Sequence, residues 1–92
     1  MDSIESLMFG LMMNNRNDVV DRDEIDDYTV DTCYTYDAGY ETAIMRDGGV
    51  WVIVARYSSR EEAEEGHKEW MDYCMTNPTF AYSVQLDERV RL

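Results

Sequence analysis

The side chains with the widest chemical repertoire are few in this chain: one histidine, His67, and two cysteines, Cys33 and Cys74. A cysteine–histidine nucleophile pair requires thiolate and imidazole within hydrogen-bond reach. Cys74 stands two helical turns beyond His67, about 10 Å along the axis, too far for a direct pair. No spacing signal ties Cys33 to His67 either. A structural zinc site draws four ligands from locally paired positions, and two isolated cysteines with one histidine do not supply them. The run Asp21-Arg22-Asp23-Glu24-Ile25-Asp26-Asp27 invites a calcium reading but fails the EF-hand test. Asp26 stands where the loop needs glycine, and Thr32 stands where it needs glutamate. Glu41, between Tyr40 and Thr42, is expected on the solvent face of a strand. No phosphate-cradling glycine motif, Ser-His-Asp order or dinucleotide fingerprint is present. Accordingly no catalytic residue, metal or cofactor is assigned, and the expected class is non-enzymatic. His67 reads as a hydrogen-bonded core histidine, and the cysteines read as buried, reduced thiols.

Charge is the stronger signal. Twenty acidic residues against eight lysines and arginines leave a formal charge of −12 on 92 residues. Such a surface repels nucleic acid and anionic membrane and attracts basic protein surfaces. The acids fall in two blocks, Asp18 to Asp31 and Glu61 to Glu69, which together hold twelve. The candidate recognition surface comprises Asp21, Asp23, Glu24, Asp26 and Asp27 from the first block. Glu61, Glu62, Glu64, Glu65 and Glu69 supply the second. Blocks of like charge also serve plain solubility. No apolar run approaches the roughly 20 residues of a membrane span. The acidic opening Met-Asp-Ser-Ile-Glu lacks the basic start of a secretion signal, so a cytoplasmic location is expected.

The elements that must carry these residues follow from periodicity. Ile4, Leu7, Met8, Leu11 and Met12 recur at helical spacing, predicting an amphipathic helix over 1–13, a candidate docking or self-association element. Residues 14–27 read as an acidic, linker-like segment, with Val19 and Val20 a short strand. Three strands follow, 28–36, 40–46 and 50–57, separated by turns at Asp37-Ala38-Gly39 and Asp47-Gly48-Gly49. The third is apolar on both faces up to Arg56, which predicts a central position. Ser58 and Ser59 each precede a glutamate by three residues, a helix-start signature. Ala63, His67, Trp70 and Cys74 then mark one helical stripe, and Asn77-Pro78 ends the helix. Residues 80–86 alternate as a half-buried strand before a charged tail, 87–92. The expected fold is a single α+β domain: an N-terminal helix, an antiparallel three-strand meander, one long helix packed on it, and a C-terminal strand.

An ordered set of segments runs through the chain: Val30-Asp31-Thr32-Cys33, Tyr40-Glu41-Thr42-Ala43-Ile44, Trp51-Val52-Ile53-Val54, Glu61-Glu62-Ala63 and Gly66-His67-Lys68-Glu69-Trp70. This set, with Met8-Phe9-Gly10-Leu11-Met12-Met13, resembles a group of small uncharacterised proteins encoded by tailed bacteriophages and prophages. The resemblance spans roughly residues 7 to 78 and implies phage origin and expression in bacterial cytoplasm. It brings no catalytic residue. Phage proteins that redirect or disarm the host are often this small and acidic, an analogy of type.

Three readings follow. The leading one is an inhibitor or modulator of a host nucleic-acid-binding or defence protein, whose basic surface meets an acidic, nucleic-acid-mimicking face. The second is a nucleotide sponge, with Tyr28, Tyr34, Tyr36, Tyr40, Trp51 and Trp70 available for stacking. Its phosphate-binding cations, Arg22, Arg46, Arg56, Arg60 and Lys68, are diluted by acids. The third is an assembly component that forms homo-oligomers through Leu7, Met8, Leu11 and Met12. Direct nucleic-acid and membrane binding are not expected.

Overall fold

The central antiparallel meander joins β2 (Tyr28–Thr35), β3 (Gly39–Arg46) and β4 (Val52–Tyr57). The computed structural model describes residues 19–36 and 38–92. The helix predicted over 1–13, with Leu7, Met8, Leu11 and Met12, lies outside the described residues. Turn chemistry closes the meander where expected: Gly39 and Gly48 take the left-handed conformation (φ 77° and 82°) that side chains disfavour.

Three sequence-based expectations are corrected. From Val19 on, the acidic segment read over 14–27 is not a linker; residues 14–18 lie outside the described residues. Val19–Ile25 forms a seven-residue strand, β1, paired antiparallel with β2, so the sheet has four strands in the order β1-β2-β3-β4. A tight Asp26-Asp27 turn joins β1 to β2, with Asp26 left-handed (φ 55°). The segment lacks apolar alternation because polar residues occupy its inward positions. The second correction concerns β4, which is a sheet edge rather than a central strand. It is apolar on both faces because both are covered. Val52 and Val54 join Tyr28, Val30 and Ile44 in one core cluster. Ile53 joins Cys33 and Ala43 in another, against which Val19, Trp51 and Val84 pack.

The third correction is the charged tail. Glu88–Arg91 forms strand β6, paired with β5 (Phe80–Ser83) in a separate two-stranded sheet. Arg89 and Arg91 stack on the Phe80 ring, 4.6 and 5.3 Å from its centroid. Val90 and Leu92 pack against the first core cluster. The alternating arginines therefore lie over an aromatic ring on the exposed face of this hairpin.

The helix α1 spans Arg60–Cys74 and packs on the sheet. Ser59 caps it, its hydroxyl accepting the Glu62 N–H at 3.1 Å. The Glu62 carboxylate reaches back to accept both the N–H and the hydroxyl of Ser58, which lowers the Glu62 pKa. This is a capping box extended by one residue. The helix stops at Cys74, three residues before Asn77, which turns left-handed (φ 62°) and donates its N–H to the Cys74 carbonyl. The Tyr28 hydroxyl donates to the Pro78 carbonyl and pins the chain there. The buried helix residues are Ala63, Gly66, His67 and Cys74. Both cysteines are buried and neither forms a disulfide, in line with the sequence.

Gly66 leaves room for the Tyr57 ring, since a β-carbon there would overlap it. Gly66→Ala should therefore lower stability by about 1–3 kcal/mol through overpacking, despite a helix-propensity gain of about 1 kcal/mol. Thermal denaturation reads the sign, and Gly66→Ala should cost less in a Tyr57→Ala background than in the native chain, because the clashing ring is gone. A raised Tm for Gly66→Ala would contradict the contact. Burial also pushes the Cys74 thiol up to about 11. At pH 8 only about a thousandth of it is thiolate, so a disulfide reagent should modify Cys74 slowly in the native protein and rapidly in denaturant.

Candidate functional site at His67

The helix-facing side of the sheet carries polar side chains in one region. Thr32 of β2 lies directly opposite Thr42 of β3, and their hydroxyls are 2.6 Å apart. Tyr57, at the end of β4, brings its hydroxyl to 3.0 Å from Thr42. On the other side, β1 presents Asp23 opposite Val30. A register shift between Val19 and Asp21 sets Asp21 opposite Thr32, and Asp21 and Asp23, two residues apart in a strand, share a face. The helix lowers His67 onto this region until the residue is 1% exposed. Its Nδ1 lies 2.6 Å from the Thr32 hydroxyl and its Nε2 lies 2.9 Å from the Asp23 carboxylate.

The donors and acceptors set a direction. The Asp23 carboxylate only accepts, so Nε2 carries the proton and donates it. In the neutral ring Nδ1 then accepts from Thr32, whose oxygen accepts from Thr42, whose oxygen accepts from Tyr57. Burial raises the Tyr57 pKa, and the Thr42 hydrogen bond opposes that rise. A one-way row of hydrogen bonds thus runs from Tyr57 to Asp23, each buried polar group partnered.

The predicted recognition residues divide. Glu61, Glu62, Glu64, Glu65 and Glu69 are exposed on α1, as are Asp21, Glu24 and Asp26 on β1 and its turn. Asp23 and Asp27 are half-buried instead. Asp23 accepts from His67, and Asp27 accepts from Arg46 Nε at 3.0 Å. That Arg46 hydrogen bond is the main reason the Asp27 pKa falls, and burial opposes it. Glu41 corrects its expectation: it is 3% exposed, its carboxylate accepting from Arg56 Nε at 2.8 Å. An alternating strand buried on both faces leaves no solvent side for it. Asp31, likewise buried, accepts from Arg22 at 2.9 Å.

Cys33 belongs to the cluster with Ala43 and Ile53, across the sheet from Thr32 and His67. The sheet therefore separates Cys33 from the imidazole. The aromatic residues do not form one platform. Tyr28 is in the core, Tyr34 meets Tyr40 edge-on at 5.0 Å, and Trp70 meets Tyr73 at 5.3 Å.

No protein family model, no curated protein and no solved structure matches this chain. Among the described residues, no helix is long and apolar enough to cross a membrane. Periodicity placed His67 on the buried stripe but did not supply its partners. The signal that could have found them is the Asp-x-Asp spacing at 21 and 23, which a strand converts into two carboxylates on one face.

Replacing Thr32 with valine keeps the shape but leaves His67 Nδ1 and the Thr42 hydroxyl without this partner. The expected loss is about 1–3 kcal/mol in chemical denaturation. Thr42→Val should cost a similar amount, and the double variant clearly less than the sum, because both cut one row. Strictly additive losses would show that the hydroxyls act independently.

Proposed function

We propose that this is a small, acidic, non-enzymatic binding protein of bacteriophage origin. It engages a basic surface on a host nucleic-acid-binding or defence protein. The observation that carries the reading is the exposed array on α1: Glu61, Glu62, Glu64, Glu65, Glu69 and Asp72 all face solvent, with only Arg60 and Lys68 among them. The helix is fixed by its buried residues, so the carboxylates form an ordered array rather than a floppy tail. The Asp23–His67 bond ties α1 to β1, the strand that carries acids of the first block. Such a field accelerates encounter with a cationic partner and gives the complex a strong salt dependence. The proposed origin rests on the resemblance of the ordered motif set to small phage proteins.

The test neutralises the array without disturbing the cap: Glu61→Gln, Glu64→Gln, Glu65→Gln and Glu69→Gln in one chain, leaving Glu62 intact. The native protein should capture a basic host protein at low salt and release it at high salt. The variant, with unchanged Tm, should bind about tenfold or more weakly. Equal binding with equal salt dependence would remove α1 as the recognition surface.

A further inference from the structure

Three potential ligand atoms meet at the open end of the His67 row. From His67 Nε2, Asp23 Oδ2 is 2.9 Å away and Asp21 Oδ2 is 4.0 Å away. All three groups offer ligand atoms within 4.8 Å of one another. We propose that Asp21, Asp23 and His67 bind one divalent transition-metal ion, with Zn²⁺ the best match. This inference stands apart from the acidic-helix reading.

The group is more than a patch of acids. One ligand is a buried imidazole aimed at the two carboxylates, while its far nitrogen is held by Thr32 at 2.6 Å. A hydrogen bond on the far nitrogen is how metal-binding imidazoles are oriented. The separations also fit. Metal–ligand bonds of about 2.0–2.2 Å place neighbouring donor atoms about 3–3.5 Å apart, between the two distances seen. The Asp21 and Asp23 side chains are 58% and 40% exposed, so each can close on an ion by a small rotation. Three protein ligands at a strand edge leave a position for water, as zinc sites with an open coordination place do. The imidazole argues against Ca²⁺ and Mg²⁺, which favour all-oxygen sets.

Binding has an internal consequence. Metal on Nε2 requires the ring proton to reside on Nδ1, so the ring keeps its proton count but changes tautomer. Thr32 then accepts from Nδ1 and donates to Thr42, Thr42 donates to Tyr57, and the half-buried Tyr57 hydroxyl donates outward. The row reverses.

The experiment is a titration of the metal-depleted full chain with Zn²⁺, followed by calorimetry and by the imidazole ¹⁵N resonances. One histidine makes their assignment unambiguous. The expected result is one ion per chain, a shifted Nε2 resonance and a proton now on Nδ1. Excess Mg²⁺ should not compete. Asp21→Asn alters an exposed carboxylate and Asp23→Asn a half-buried one that retains an oxygen acceptor for His67, and each should weaken binding at least tenfold, with circular dichroism confirming the fold. Thr32→Val should weaken it about tenfold through the lost orienting bond. The four-glutamine α1 variant should bind Zn²⁺ normally, which separates this site from the proposed protein-binding face. Absent binding, an unmoved His67 resonance, or equal affinity in the Asp21→Asn/Asp23→Asn double variant would each overturn the proposal.

Discussion

Burying an imidazole between a helix and a sheet is costly unless both nitrogens find partners. His67 meets that constraint through a row that crosses the sheet, using Asp23 from β1, Thr32 from β2, Thr42 from β3 and Tyr57 from β4. Every strand of the main sheet contributes one group, so strand register and helix position are fixed together. A slip of one residue in the β2–β3 pairing would send Thr32 and Thr42 to opposite faces and open the row. The absent side chain at Gly66 is part of the same arrangement, because it lets Tyr57 close against the helix.

Local chemistry made much of this architecture legible. The meander follows from β-branched and aromatic runs between glycine turns. The helix start follows from the Ser59–Glu62 cap, and the helix stripe from Ala63, His67 and Cys74. β1 was illegible as an element because it spends inward positions on carboxylates, and β6 because its charged residues alternate with only Val90 and Leu92. Asp23 faces His67, while Arg89 and Arg91 lie over Phe80. Apolar periodicity cannot report such strands. The site was half legible: His67 falls on a buried face, but its partners stand far away in sequence and are assembled only by strand register. Glu41 shows the converse limit, since a strand covered on both faces buries even a carboxylate when an arginine stands opposite.

Those arginines also shape the surface. Arg22, Arg46 and Arg56 are engaged with Asp31, Asp27 and Glu41 at 2.8–3.0 Å. Two of these acids are fully buried, where removing the cation would strand a desolvated charge. The chain has only eight basic residues against twenty acids, so committing three to the sheet leaves the helix with little compensation. The strong negative field along α1 thus has two sources: its own glutamates, and the use of basic side chains elsewhere.

Such a helix is poorly supported by its own surface. Glu61 and Glu65, and Glu65 and Glu69, are like charges one turn apart, each pair destabilising by a few tenths of a kcal/mol. The acidic first turn suits the helix dipole, but the last turn carries no basic residue to complement it. Against this stand the Ser59 cap, the Arg60–Glu64 pair at 3.2 Å, and the burial of Ala63, Gly66, His67 and Cys74 on the sheet. An exposed pair and a cap contribute at most a few kcal/mol together, so tertiary contact must supply most of the helix's stability. The buried row therefore makes the acidic surface physically tenable. By anchoring the inward face through His67, the sheet allows the outward face to hold a density of carboxylates that an isolated helix would not support.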